Sequence, residues 1–165
     1  MAKVKKGVWT QGTKAWIKHG PDDNPTLTRM DCIKSIDLGD DSTNEIDSTC
    51  LDEEDSTTEY GLNKPGEGSL TIDTDPKNQS HMTLLELAEE RETVEVYVGW
   101  SDDTTAIPTL DSPSNVVNMP ESRTWSVFTA KLKASPPKFD ADSLVNHTIG
   151  MKRQTKVYTN YRTIV

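Results

Sequence analysis

Thr93 to Trp100 places Val94, Val96, Val98 and Trp100 at every second position, and a period of two sustained over eight residues fixes an extended strand with one apolar face. Runs of the same kind recur along the chain. Thr13 to Lys18, Leu27 to Leu38, Thr43 to Leu51, Ser69 to Thr74 and Arg123 to Ala134 read as strands, and Leu144 to Met151 and Val157 to Val165 as weaker ones. In Thr43 to Leu51, Ile46, Ser48 and Cys50 share a face opposite Thr43, Glu45, Asp47 and Thr49. The alternation in Leu27 to Leu38 breaks near Cys32-Ile33, which predicts a bulge in one long strand. The sum is about seven to nine short strands, the pattern of a β-sandwich or barrel.

Turn chemistry divides these runs. Gly20-Pro21-Asp22-Asp23-Asn24-Pro25 closes the first and Gly39-Asp40-Asp41 follows the second. Tyr60 to Gly68 contains three Gly and a Pro and reads as a loop, and Ser101 to Ser122, with Pro108, Pro113 and Pro120, as a long irregular segment. One helix is expected, from about Pro76 to Arg91. Asp75 serves as N-cap, Pro76 stands at the first helical position, Met82 and Leu85 form the core stripe with Leu84, Leu87 and Ala88 beside it, and Arg91 lies near the negative end of the helix dipole.

Composition limits what such a chain achieves alone. Only 33% of the 165 residues are hydrophobic and mean hydropathy is -0.67, whereas a free-standing globular domain is about 45–50% apolar. Four Trp and four Tyr still supply a core. The deficit therefore points to arms and loops that are completed by neighbouring copies. Gly39–Thr43 and Asp52–Gly68, poor in apolar anchors, are expected to be partly mobile in the single subunit. The net charge of -9 is unevenly spread. Residues 1–20 carry five Lys and no acid, residues 21–111 carry 24 acids against 5 bases, and residues 112–165 carry 8 bases against 3 acids. An acidic middle between basic ends suits head-to-tail contact between copies and opposes tight binding of phosphate.

No reaction chemistry is marked. The chain has no Gly-rich phosphate loop and no Gly-x-Ser-x-Gly elbow. His19, His81 and His147 are far apart and read as ordinary polar residues. Cys32 and Cys50 read as small core residues with reduced thiols, and two cysteines make no disulfide framework. From Asp37 the sixth and twelfth residues are Ser42 and Ser48, which breaks the EF-hand spacing. No apolar run approaches the ~20 residues of a membrane span. No catalytic, cofactor or metal residue is nominated.

Gly66-Glu67-Gly68-Ser69-Leu70-Thr71-Ile72-Asp73-Thr74-Asp75-Pro76, then His81, Leu84 and Leu85, then Val94-Glu95-Val96-Tyr97-Val98, resembles the major tail tube proteins of long-tailed bacteriophages. The resemblance continues upstream through Cys32-Ile33-Lys34-Ser35-Ile36 and Glu45-Ile46-Asp47-Ser48-Thr49-Cys50-Leu51. Downstream it takes in Trp125-Ser126-Val127-Phe128-Thr129-Ala130-Lys131-Leu132 and the stretch from Asp142-Ser143-Leu144-Val145 to Met151-Lys152-Arg153. Roughly residues 26 to 157 are covered. Gln154-Thr155 departs from the Ser-Gly turn frequent in the family.

The resemblance implies one tail tube domain over 1–165: an arm and first strand at 1–25, a long loop at 101–122, and a terminal strand or arm at 157–165. It implies a mainly β fold, a β-sandwich or barrel with one flanking α-helix and long loops, whose inner sheets join into a ring-wide β-barrel. Six copies would form each ring. Rings would stack head to tail in the virion tail, with a tape-measure protein and tail terminator and tip proteins as partners, assembly in the host cytoplasm, and double-stranded DNA passing through. Asp37, Glu45, Asp47 and Asp73 are then the expected lumen-facing residues. Asp52, Glu53, Glu54, Asp55, Tyr60 and Lys64 are the expected inter-subunit loop. An immunoglobulin-like binding or decoration module, the tube of a contractile injection system and a β-fold hydrolase are the alternatives.

Overall fold

The computed structural model describes residues 7–164. Residues 1–6, part of the expected N-terminal arm, and Val165 lie outside the described residues. Among these residues the chain forms β1 (Lys14–His19), β2 (Thr26–Met30), β3 (Ile33–Asp37), β4 (Ser42–Asp47), β5 (Thr58–Lys64) and β6 (Glu67–Asp73). Helix α1 (Gln79–Glu89) and β7 (Thr93–Gly99) follow, then β8 (Thr109–Leu110), β9 (Val117–Asn118), β10 (Trp125–Lys133), β11 (Asn146–Arg153) and β12 (Tyr158–Asn160).

An eight-stranded antiparallel sheet runs in the order β2-β1-β7-β10-β11-β6-β3. β11 pairs with the second half of β10, from Ala130 to Lys133, and β12 with its first three residues, Trp125 to Val127. β2 and β3 stand at opposite ends of this order, yet only Asp31 and Cys32 separate them in sequence. Three Cα steps span at most about 11 Å, so the sheet curls until its edges approach. β2 and β3 do not pair, and the curl is not a closed barrel. At the bulge expected near Cys32-Ile33 the chain changes sheet position between two strands, and the β3–β6 register shifts just beyond, between Ile33 and Ser35. Cys32, at φ 52, makes the corner.

The core fills the inside of the curl. Ala15 and Ile17 of β1, Val94, Val96 and Val98 of β7, Phe128, Ala130 and Leu132 of β10, Ile149 and Met151 of β11, and Leu70 and Ile72 of β6 are all buried there. A second cluster, Trp16, Tyr97, Trp125 and Val117, lies on the other face of β1, β7 and β10 under the segment that carries β8 and β9. The segment expected to be irregular therefore holds a two-residue pairing, Thr109 to Asn118 and Leu110 to Val117, and serves as a lid. Arg123 is buried inside this second cluster. Its guanidinium carbon lies 5.6 Å from the Trp16 ring and 5.4 Å from the Trp125 ring. It donates to the carbonyls of Trp100 (2.6 Å), Ala106 (2.9 Å), Gly99 (2.9 Å) and Gly12 (3.2 Å).

Helix α1 starts later than the sequence suggests. Asp75 Oδ1 accepts from the Lys77 N–H (2.9 Å) in a turn of its own, and Asn78 caps the helix by accepting from the Ser80 N–H (3.0 Å). Arg91 lies beyond the helix end at φ 55. The buried face is Leu84, Leu87 and Ala88, with Ser80 and His81, rather than the Met82/Leu85 stripe. Leu85 is half-buried at the edge of the core, and Met82 is half-buried outside both clusters. The reason is polar. Ser80 Oγ accepts from the Asp31 N–H (3.1 Å), His81 Nδ1 accepts from the Asp75 N–H (3.2 Å), and His81 Nε2 donates to the Asp31 carbonyl (2.7 Å). These bonds seat the helix N-terminus on the β2–β3 corner and rotate the face that points inward. Leu84→Ala is therefore expected to cost about 2–5 kcal/mol and Leu85→Ala clearly less, read from urea-unfolding midpoints. The reverse order would restore the sequence-derived stripe.

Candidate functional site

The sequence places Tyr60 to Gly68 in a loop, but Thr58–Lys64 is β5, and it pairs antiparallel with β4. The backbone amides of this Gly-containing stretch find partners in β4, which outweighs its turn-like composition. The resulting two-stranded arm leaves the sheet where β3 and β6 end. Every residue of β4 and β5 is exposed except Gly61, which is partly covered. Ile46, Leu51, Tyr60 and Leu62 stand in solvent, at 56%, 108%, 81% and 86% exposure. Side chains directly opposite in the ladder share a face, so Tyr60 stands with Glu45, and Ile46 with Glu59.

Asp52, Glu53, Glu54 and Asp55 occupy the turn at the far end of the arm, and all are exposed. Glu53 Oε2 stiffens that turn by accepting from the Cys50 N–H (3.1 Å) and the Thr57 hydroxyl (3.3 Å). Lys64 lies at the near end of β5, opposite Ser42. Cys50 is exposed on the arm and Cys32 is exposed on the body, so neither is the core residue expected. A lone thiol on a surface turn carries no signal in composition that separates it from a buried one.

The four acids assigned to the lumen divide into two pairs. Asp37 and Asp73 belong to the β3–β6 part of the sheet, and Glu45 and Asp47 to the arm. Asp73 Oδ2 lies 3.5 Å from Lys34 Nζ, while its Oδ1 is buried without a hydrogen-bond partner among the described residues. Asp37 Oδ1 accepts from the Gly39 N–H (2.9 Å). Asp47 accepts from the Thr49 hydroxyl (2.6 Å) and N–H (3.0 Å), and these bonds hold its carboxyl below the usual range. The outer face of the β10–β11–β6–β3 sheet is not uniformly acidic. Lys131, Lys152 and Glu67 follow one another across three neighbouring strands, with Lys133 two residues along β10. The acid excess is in the arm, where residues 40–59 contain nine acids and no base.

The root of the arm is compact. Arg153 is only 4% exposed. Its Nε donates to the Leu38 carbonyl (2.7 Å), Nη2 to the Gly39 carbonyl (3.1 Å) and to Asp41, and Nη1 to the Thr155 carbonyl (3.2 Å). Asp41 also accepts from the Asn63 side chain (2.9 Å) and the Gly66 N–H (3.3 Å). The bonds from Asn63 and Arg153 lower its pKa. The root contacts therefore hold at neutral pH and are lost only as pH falls through that lowered value. Nothing in the sequence singled out Arg153 or Asp41. The separation between them along the chain hides the pairing.

Comparison with solved structures places this fold among tube-forming assemblies. The SPP1 tail tube, solved by solid-state NMR and cryo-EM, matches with a TM-score of 0.63 at 6% identity, over 96% of this chain and 81% of that one. The sheath/tube terminator of the extracellular contractile injection system PVC, in its extended state, matches with a TM-score of 0.62 at 10% identity, over 94% and 98%. At identities this low, the superpositions show a shared fold alone. The sequence carries the finer assignment: the family described as phage tail tube, lambda-like, matches residues 6–163. Structural protein 3 of Pseudomonas phage PAJU2 is 32% identical over 133 residues, 79% of this chain and 80% of that protein. The chain belongs to the lambda-like phage tail tube family. It is a structural protein of the phage tail.

Proposed function

We propose that this subunit polymerises as hexameric rings stacked head to tail, that strands of neighbouring copies join into one inner barrel, and that DNA passes through it. The observation that carries the reading is the β4–β5 arm: a long, acidic, aromatic-bearing hairpin whose strands no other part of the described residues covers. A single subunit gains little from holding Tyr60 and Leu62 in water, and a second copy supplies the missing cover. Asp52, Glu53, Glu54, Asp55, Tyr60 and Lys64 are the proposed inter-subunit contacts. A tape-measure protein and terminator and tip proteins complete the assembly, which takes place in the host cytoplasm. The subunit itself catalyses nothing and takes no cofactor. Cryo-EM of the purified protein at rising concentration tests this. Stacked six-fold rings are expected, and a monomer at every concentration would refute stacking.

Asp37, Glu45, Asp47 and Asp73 are proposed to face the lumen, at least two of them directly, and to keep it net negative. Phosphate then meets few cations and DNA slides without sticking. Asp37 lies apart from the contact face of the arm, and Asp37→Asn retains an acceptor for Gly39. The pair Asp37→Asn with Asp73→Asn, both on the β3–β6 part of the sheet and off the arm, removes two negative charges per subunit. Tails built from this variant are expected to assemble and to eject DNA several-fold more slowly. Ejection at the normal rate would exclude an electrostatic role for these acids.

A further inference from the structure

Resting on the reading of the arm as an inter-subunit contact, we infer that Arg153 is the positioning residue of assembly: with Asp41 it locks the root of the arm, so that each free subunit already aims its hairpin. The geometry binds both strands of the root to one residue of β11. The Arg153 side chain takes the carbonyls of Leu38 and Gly39 and the carboxylate of Asp41 on the outgoing strand. Its own N–H takes the Gly66 carbonyl (3.3 Å) on the returning strand. Asp41 then closes the loop across the root through Asn63 and the Gly66 N–H.

The glycines show how tightly the strands pass. A Cβ at Gly39 would collide with the Glu67 carbonyl, one at Gly66 with the Asp40 carbonyl, and one at Gly68 with the Asp37 carbonyl. Gly39 is also at φ 72, a conformation that L side chains rarely adopt. A loose hinge would need neither three backbone-to-backbone approaches nor a buried guanidinium with three of its four bonds spent at one point. Gly39–Thr43 is expected from composition to be mobile, and the proposed lock would hold it in the free subunit. A pre-aimed arm lowers the ordering cost of each stacking event, because the orientation is set before partners meet.

The chain provides its own probes. Its two cysteines, Cys32 on the body and Cys50 near the end of the arm, are both exposed, and spin labels on them report the arm's orientation as a distance distribution. In the monomer the distribution is expected to be narrow. In Arg153→Met it is expected to broaden, with the critical concentration for tube formation raised about tenfold. Asp41→Asn, which keeps one acceptor oxygen for Arg153 and Gly66 but loses the charge and the bond from Asn63, should give a smaller change in the same direction. Far-UV circular dichroism and the melting of the body separate this from unfolding. If Arg153→Met does not fold, the Asp41→Asn result decides. An unchanged distribution overturns the lock. A broadened distribution with unchanged assembly overturns the positioning role. Normal assembly of a Tyr60→Asp/Leu62→Asp arm would instead refute the arm as the contact, while leaving the lock measurable by distance alone.

Discussion

Arg123→Ala is expected to remove about 3–5 kcal/mol of stability and to move the urea midpoint further than any single surface change. The guanidinium serves four carbonyls, from Gly12, Gly99, Trp100 and Ala106. These belong to the N-terminal segment, the end of β7 and the loop after it. Each buried carbonyl left without a donor costs roughly 1–3 kcal/mol, and water entering the vacated space offsets part of the total. The two indole faces also lose a desolvated cation, about 1–2 kcal/mol more at most. Domain stability is only about 5–15 kcal/mol, so the loss is a large part of the whole. Burial depresses the pKa of Arg123, with Asp102 and Asp103 opposing that shift. Even so, a guanidinium keeps its proton at any pH the fold tolerates. The measurement is equilibrium unfolding of the variant beside Arg123→Lys. Lysine keeps the charge but not the planar fork, and it should recover less than half of the loss. An Arg123→Ala midpoint within error of the parent would mean that the lid over Trp16 and Trp125 closes without the arginine.

The parts of the fold that were legible are those where pattern and partner agree. Val94, Val96 and Val98 face the core in β7, as their alternation requires, and Phe128, Ala130 and Leu132 do so in β10. The same holds for Leu70 and Ile72 in β6. Where sequence reading missed, a tertiary partner decided the outcome. The break in alternation near Cys32-Ile33 marked the register shift that β3 shows between Ile33 and Ser35, but only the curled sheet makes a corner of Cys32. Tyr60 to Gly68 looked like a loop because Gly and Pro dominate, and only pairing with β4 makes a strand of it. Ser80 and His81 are polar residues that take the inward side of α1 because Asp31 and Asp75 offer them bonds. Arg123 and Arg153 were invisible for a related reason. A buried arginine is specified by carbonyls from segments far away in sequence, and no local pattern announces carbonyls. The arm's composition, with its acids and its Tyr and Leu, was legible. Its extent as an unsupported hairpin was not.

Tyr60→Asp combined with Leu62→Asp is expected to abolish tube formation at concentrations where the parent assembles, while leaving the monomer folded. Tyr60 stands on the Glu45 face of β5, Leu62 lies where the register with β4 shifts between Thr43 and Glu45, and both are more than four-fifths exposed. Removing exposed side chains costs the free subunit within about 0.5 kcal/mol. Burying two large apolar side chains on assembly is worth roughly 1.5–3 kcal/mol each. Their loss therefore weakens each contact by about a hundredfold or more, at 1.4 kcal/mol per tenfold. Two new carboxylates act in the same direction, since they join Glu45 and Asp47 on an arm already rich in acid. The effect repeats at every subunit, so the critical concentration should rise at least as steeply as the single contact weakens. Sedimentation of polymer from monomer over a concentration series gives that value directly, and far-UV circular dichroism of the supernatant shows whether the monomer is intact. Tyr60→Phe with Leu62→Met, which keeps the apolar area, should assemble as the parent does. If the aspartate pair also pellets at the parental concentration, the exposed face of the arm is not what holds one subunit to the next. The contact would then have to be sought on the outer face of β10, β11 and β6.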